Sequence, residues 1–286
     1  TNMTDKTLYT ILSKMSPALT QIAFGITGVQ TNPEFVKMLE TSRAFGFVPN
    51  FTLTGEDLTD WLADYIAPKV GALAVSLRSG SVDTGLRTIQ AFKDRGIDQV
   101  NVHLMLSKET LPFVFNVLAW ASTGHPVLKR VNAFVLLGVK SKGRAKEGFT
   151  SVSVEELAEV MRFSFQQDIP LGFDSCTAPK FEAALQHKLL SGYSDDVKKN
   201  LLMHAESCES GLMSSYINTE GKFFPCSFTE GEEIFPEGID VLEGREDFNT
   251  KVWNNPKIIA WRETLLATVK PGTSTRFCPA FPEVNP

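Results

Sequence analysis

The sequence predicts an α/β fold: a partial (β/α)6 barrel followed by a small C-terminal hairpin-plus-helix module. Two observations carry this. Apolar runs of strand length alternate with helical patterns from about Thr20 to Cys176. Such β-then-α alternation argues for a parallel sheet with right-handed crossovers that put the helices outside. Beyond Cys176 the alternation stops, and short runs around Gly and Pro take over.

The expected strands are 20–25, 49–54, 71–78, 99–106, 131–138 and 169–175. A first helix is expected at roughly 4–15. In the next, Asn32 is read as the N-cap and Pro33 as the first helical residue, ahead of Phe35, Val36, Met38 and Leu39. Asp57 precedes Leu58, Trp61, Leu62 and Ile66 at helical spacing, and Asp83 precedes Leu86, Ile89 and Phe92, with Gly96 as a stop. Ser153 and Glu156 form a capping box before Leu157, Val160 and Met161.

The strands carry a second pattern. Val100, Val102, Leu104 and Leu106 share one face of 99–106, while Asn101, His103 and Met105 share the other. Asn50, Thr52 and Thr54 lie opposite Phe51 and Leu53, Ser76 and Arg78 lie opposite Leu73, Val75 and Leu77, and Asp174 shares a face with Cys176. A packed barrel interior prefers branched apolar side chains. A polar inner face therefore points to a hydrated barrel with a ligand inside. The competing reading is mutual hydrogen bonding or solvent contact at strand ends. Met105, Met161 and Met203 read as core filling.

Composition narrows the function. With 28 Lys and Arg against 33 Asp and Glu, the net charge of −5 gives no basic excess for nucleic acid. The local strip Lys140, Lys142, Arg144, Lys146 reads as a solvated loop. No apolar run reaches the roughly 18 residues of a membrane span, and the first ten residues are polar. A cytoplasmic protein without membrane or nucleic-acid partners is expected. No P-loop, Rossmann fingerprint or Ser/His/Asp order is present.

The domain boundary is placed near 204. Beyond it, Ser215–Asn218 and Lys222–Pro225 read as two short strands around Gly221, followed by a loop at 229–247, a helix at 256–266 and a tail containing Arg276-Phe-Cys-Pro279. Of the four cysteines, Cys208 and Cys226 flank this hairpin, Cys278 lies in the tail and Cys176 ends a barrel strand. A hairpin returns its flanks to one another, so both thiolates are expected at one metal centre. Phe223, Phe224 and Pro225 offer the apolar surroundings an iron–sulfur cluster favours. An all-thiolate zinc site and four unrelated core thiols are the other readings.

The stretch CESGLMSSYINTEGKFFPC closely resembles the Cys-x(9–15)-Gly-x4-Cys hairpin that opens the twitch or SPASM modules of radical S-adenosylmethionine (SAM) enzymes. QIAFGITGVQTNPEFVKML, VPNFTLTG and GALAVSL resemble the second, third and fourth strands of that family's TIM-like barrel, and FVLLGVKSKGRA resembles a strand and Gly-Arg-Ala turn common in SPASM members. Two features depart from the family. Its Cys-x3-Cys-x2-Cys loop is absent from these residues, and the Gly-Gly-Glu-Pro turn reads Gly25-Ile-Thr-Gly28. The chain opens on Thr1, with Met3 its first methionine, and the first strand with its cluster loop is expected upstream.

The resemblance implies a radical SAM enzyme. Reductive cleavage of SAM would give a 5′-deoxyadenosyl radical that abstracts hydrogen from a peptide, or from a small molecule as second choice. Flavodoxin or ferredoxin would donate the electron. SAM would meet Gly25, Gly28, Thr52, Thr54, Ser76, Asn101 and His103. One [4Fe–4S] cluster would be held by Cys208, Cys226 and Cys278, with Cys176 as fourth ligand. Residues 1–204 would be the barrel and 205–286 the cluster module. A degenerate binding protein and a zinc-stabilised barrel enzyme are the alternatives.

Overall fold

The computed structural model describes residues 1–286 except the side chains of Arg144 and Lys146; that part of the basic strip lies outside the described residues. The elements run α1 (Asp5–Leu12), β1 (Gln21–Phe24), α2 (Phe35–Ala44), β2 (Val48–Leu53), α3 (Asp60–Ile66), β3 (Ala72–Ser76), α4 (Val82–Asp94) and β4 (Gln99–Leu106). They continue with α5 (Leu111–Ser122), β5 (Phe134–Gly138), α6 (Val154–Gln166), β6 (Leu171–Phe173), α7 (Ala178–Leu185) and α8 (Asp195–Met203). Strands β7 (Tyr216–Ile217), β8 (Lys222–Phe224) and β9 (Ile239–Asp240) precede α9 (Pro256–Leu266). Strands β1 to β6 form one sheet in sequence order. The pairs β1–β2, β2–β3 and β5–β6 are parallel, with Phe24 beside Phe51 and Leu53 beside Val75. With helices following the strands, this is an α/β partial barrel.

The strand pattern follows the period-2 reading. Along β4, Val100, Val102, Leu104 and Leu106 are buried, while Asn101, His103 and Met105 stay half-exposed. In β2, Phe51 and Leu53 are buried and Asn50 and Thr52 are half-exposed. Side chains of alternating polarity thus set which face meets the helices. Asn50 is spent on structure: it donates to Gln21 Oε1 (2.8 Å) and accepts from the Ala72 amide (2.8 Å).

Helix starts agree less well. The capping box at Ser153 and Glu156 is formed. Asn32 is not the N-cap of α2, which begins at Phe35 behind Glu34; its amide instead donates to the Met3 carbonyl (2.9 Å). Asp57 does not start α3, whose N-cap is Thr59. It accepts from the Gln30 amide (2.7 Å). Asn32 still accepts from the Glu34 amide (3.0 Å) through Oδ1, whereas the Asp57 carboxylate is taken by a bond distant in sequence. Residues 178–203 carry two helices, α7 and α8. Trp61 and Met203, read as packing residues, are 66% and 73% exposed.

The chain packs as two compact units, neither of them one continuous stretch. The first comprises 1–102, 130–132 and 214–259; the second comprises 103–129, 133–213 and 260–286. In the first, the expected hairpin β7–β8 is present, with β9 added antiparallel on the far side of β8. Gly221 sits in its turn at φ +81, a left-handed conformation open to glycine. Phe223 and Phe224 of β8 are buried with Phe235, Val241, Phe248, Val252, Ile258 and, from α1, Ile11. The other face of α1 buries Leu8 and Leu12 against Met38 and Phe47. Just past α1, Lys14 Nζ donates to the carbonyls of Val241 (2.7 Å) and Leu242 (2.8 Å). In the first unit, therefore, an N-terminal helix is packed between barrel helix α2 and the late hairpin.

Candidate functional site: strand ends and a thiol cluster

The carboxyl ends of parallel strands are where α/β sheets bind ligands, because the loops and helix N-termini converge there. In the first unit, Gly25 follows the Phe24–Phe51 pair, and Thr54 and Ser76 follow the Leu53–Val75 pair. Thr52, Thr54 and Ser76 are half-exposed, as is Asn101, and Gly25 is exposed. Gly28 is buried; a Cβ there would lie 2.4 Å from Asp57 Oδ2, so a larger residue would have to displace the Asp57 carboxylate. The carboxylate beside this loop thus comes from Asp57, at the end of β2. In the second unit, His103 is half-exposed on β4. Burial lowers its pKa, and the Asp174 charge opposes this only in part.

The cysteines are all free thiols. Cys176, Cys208 and Cys278 belong to the second unit and Cys226 to the first. In the second unit, Cys208 and Cys278 both lie within electrostatic reach of Cys176. Burial pushes the Cys176 thiol up to about 12; Lys140 opposes the rise, while Asp174, Cys208 and Cys278 add to it. Each is held by backbone-directed bonds. Asp174 accepts from the Thr177 amide (3.1 Å), fixing the turn that carries Cys176. Arg276, two residues before Cys278, donates through Nε to the Cys208 carbonyl (2.6 Å). Asn285 brackets Cys278, accepting from its amide (2.8 Å) and donating to its carbonyl (3.1 Å). Upstream in the same tail, Glu182 of α7 accepts from the amides of Ser274 (2.8 Å) and Thr275 (3.1 Å). Cys226 lies just after β8, where Thr229 accepts from its amide (3.4 Å) and donates to its carbonyl (2.7 Å).

Among the described residues, no three His, Cys, Asp or Glu groups gather tightly enough to hold a single metal ion.

Lys140 corrects the sequence reading. It is 7% exposed, not a member of a solvated strip, and is ion-paired with Asp174. Burial alone would lower its pKa, but Asp174, Cys176 and Cys278 outweigh it, and the net shift is upward. Removing one partner from such a buried pair typically costs about 3–5 kcal/mol, because the other is left uncompensated. Glu182, Arg276 and Asn285 were also missed. Their only sequence signal is proximity to Cys278 or to α7, which any polar residue there would share.

No protein-family model and no curated protein sequence matches the chain. Solved structures match it in fold, and they are radical SAM enzymes: the chain has the radical SAM fold. Streptococcus suis SuiB bound to precursor peptide SuiA matches with TM-score 0.67 and 12% identity over 98% of this chain and 63% of that one. SuiB bound to S-adenosylmethionine gives 0.59 and 11% over 90% and 58%. Native anSMEcpe with bound AdoMet and Kp18Cys peptide gives 0.60 and 12% over 91% and 74%. The chain therefore spans less than two thirds of the SuiB chains it matches.

Proposed function

We propose that this chain belongs to a radical SAM enzyme that modifies a peptide and carries an auxiliary [4Fe–4S] cluster with Cys176, Cys208 and Cys278 among its ligands. The observation that carries the reading is the gathering, in one unit, of three free thiols from distant points in the sequence, on a fold shared with SAM-bound and peptide-bound enzymes. Cys176 is anchored on the barrel by Asp174, so it is a full ligand in this scheme. Residues 1–204 serve as the barrel and 205–286 as the cluster module. A peptide ranks ahead of a small metabolite because SuiB and anSMEcpe are named with bound peptides.

Bound SAM would supply the hydrogen-abstracting chemistry through its one-electron reductive cleavage, with methionine released and the electron drawn from a ferredoxin or flavodoxin. The thiolates for that reductive step are not among the cysteines assigned here. The chain's own residues bind and orient: Gly25 and Gly28 present backbone groups to the SAM amino acid moiety, and Thr52, Thr54, Ser76, Asn101 and His103 line its path along the strand ends. The lowered pKa of His103 keeps it neutral near pH 7, so it accepts or donates a hydrogen bond without adding charge. A reducing cytoplasm suits the free thiols.

Calorimetry with SAM on anaerobically reconstituted protein, with iron and sulfide assayed in parallel, tests the reading. Saturable SAM binding and about four irons per chain, by the stoichiometry of such a cluster, are expected. Binding of SAM without its cleavage, in a chain carrying the upstream segment, would leave a binding protein. Stoichiometric zinc in place of iron would overturn the cluster.

A further inference from the structure

Lys140 is a buried cation that the binding of SAM or peptide does not call for. Three attachments fix its position. Its ammonium is paired with Asp174, two residues before Cys176. Asp174 in turn accepts from the Thr177 amide (3.1 Å), which follows Cys176 directly. On the other side, the amide of Ser141 donates to Glu283 Oε1 (2.6 Å), in the tail that carries Cys278. The short segment after β5 thus stands between the turn bearing Cys176 and the tail bearing Cys278. Both thiols lie within electrostatic reach of the lysine.

We propose that Lys140 and Asp174 set the reduction potential of the auxiliary cluster, the lysine raising it and the aspartate lowering it. This rests on the cluster assignment above. The physical reason is charge. Its thiolates give the cluster a net negative charge, and one-electron reduction adds another. A fixed ammonium in a partly desolvated setting favours the more negative form, and a carboxylate disfavours it. Both groups act on Cys176, in opposite senses, and the ammonium acts on Cys278 as well. Lys140 is a positioning residue here, acting on the cluster through its field.

The test compares wild type, K140R, K140M, D174N and K140M/D174N, each reconstituted anaerobically with iron and sulfide. Iron and sulfide per chain are assayed, and the midpoint potential is read by electron paramagnetic resonance. Dithionite supplies the electron and is oxidised as the cluster is reduced. At equal iron load, K140M should shift the midpoint negative and D174N positive. The double variant should fall between them, and K140R should stay near wild type. The double variant leaves no stranded buried charge, so the series remains readable if a single variant misfolds. A purely structural role would lower iron load or melting temperature without separating the potentials by sign. Unchanged potentials at full iron load would overturn this proposal and leave the cluster standing. Wild type that takes up no iron and sulfide would remove the cluster reading, and this proposal with it.

Discussion

At the scale of single residues, the environment of each group sets its reactivity. The Cys176 thiol, pushed up to about 12 by burial, stays protonated in the metal-free protein. Iodoacetamide labelling followed by mass spectrometry should find it slow in the folded chain and ordinary in urea, because the thiolate is the nucleophile. Rapid native labelling would contradict the burial. His103 gives a pH signature. Its folded pKa lies below the ordinary 6.5, so the unfolded chain binds its proton first as pH falls. Stability is therefore held above the ordinary value and lost as pH drops from there through the folded value. Thermal melts between about pH 7.5 and about pH 5.5 should show a smaller loss in H103N than in wild type, since histidines titrate in this range. Equal losses would remove His103 from the account. Lys140 shows what sequence cannot disclose at this scale. In a run with Lys142 it looks solvated, and its burial is decided by Asp174, 34 residues away.

At the scale of elements, the period of the side chains was legible where it also decides burial. Strand β4 was readable because alternation buries Val100, Val102 and Leu104 and leaves Asn101 and His103 half-exposed. The hairpin was readable because Gly221 marks its turn. Substituting Gly221→Ala forces a left-handed residue and drives its Cβ to 2.6 Å from Leu242 Cγ. A loss of about 1–2 kcal/mol is expected for the conformation alone, measured by urea unfolding. Phe223→Ala should cost more, about 3–5 kcal/mol, because the ring is wholly buried. A Phe223 change no worse than that at Gly221 would mean that the hairpin core is not what holds this region. Helix starts were less legible because Asn32 and Asp57 face two competing partners, the local backbone and a distant one. For Asp57 the distant Gln30 amide prevails, while Asn32 bonds both the local Glu34 amide and the distant Met3 carbonyl. Strand β9 escaped notice because two residues are too short to show a period.

At the scale of the whole molecule, metal and stability should be linked. A cluster that binds only the folded chain stabilises it, by about 2.7 kcal/mol at one hundred times the dissociation constant. Differential scanning calorimetry should place the melt of reconstituted protein above that of chelated protein, and superimposable melts would count against a structural cluster. The radical SAM fold itself was legible from the order of motifs, although no single barrel motif is specific. The division into two interleaved units was not, because it depends on which distant segments meet. That interleaving has a bearing on how the chain is born. Ile11 of α1 is buried with Phe223 and Phe248, more than two hundred residues further along. During synthesis α1 must wait with its Ile11 face uncovered until residues 223–258 have left the ribosome. Contacts of such long sequence separation close slowly and expose sticky surface meanwhile. Chaperone supply, and not growth temperature alone, should therefore govern the yield of soluble protein, and a fragment ending at residue 204 should aggregate where the full chain does not.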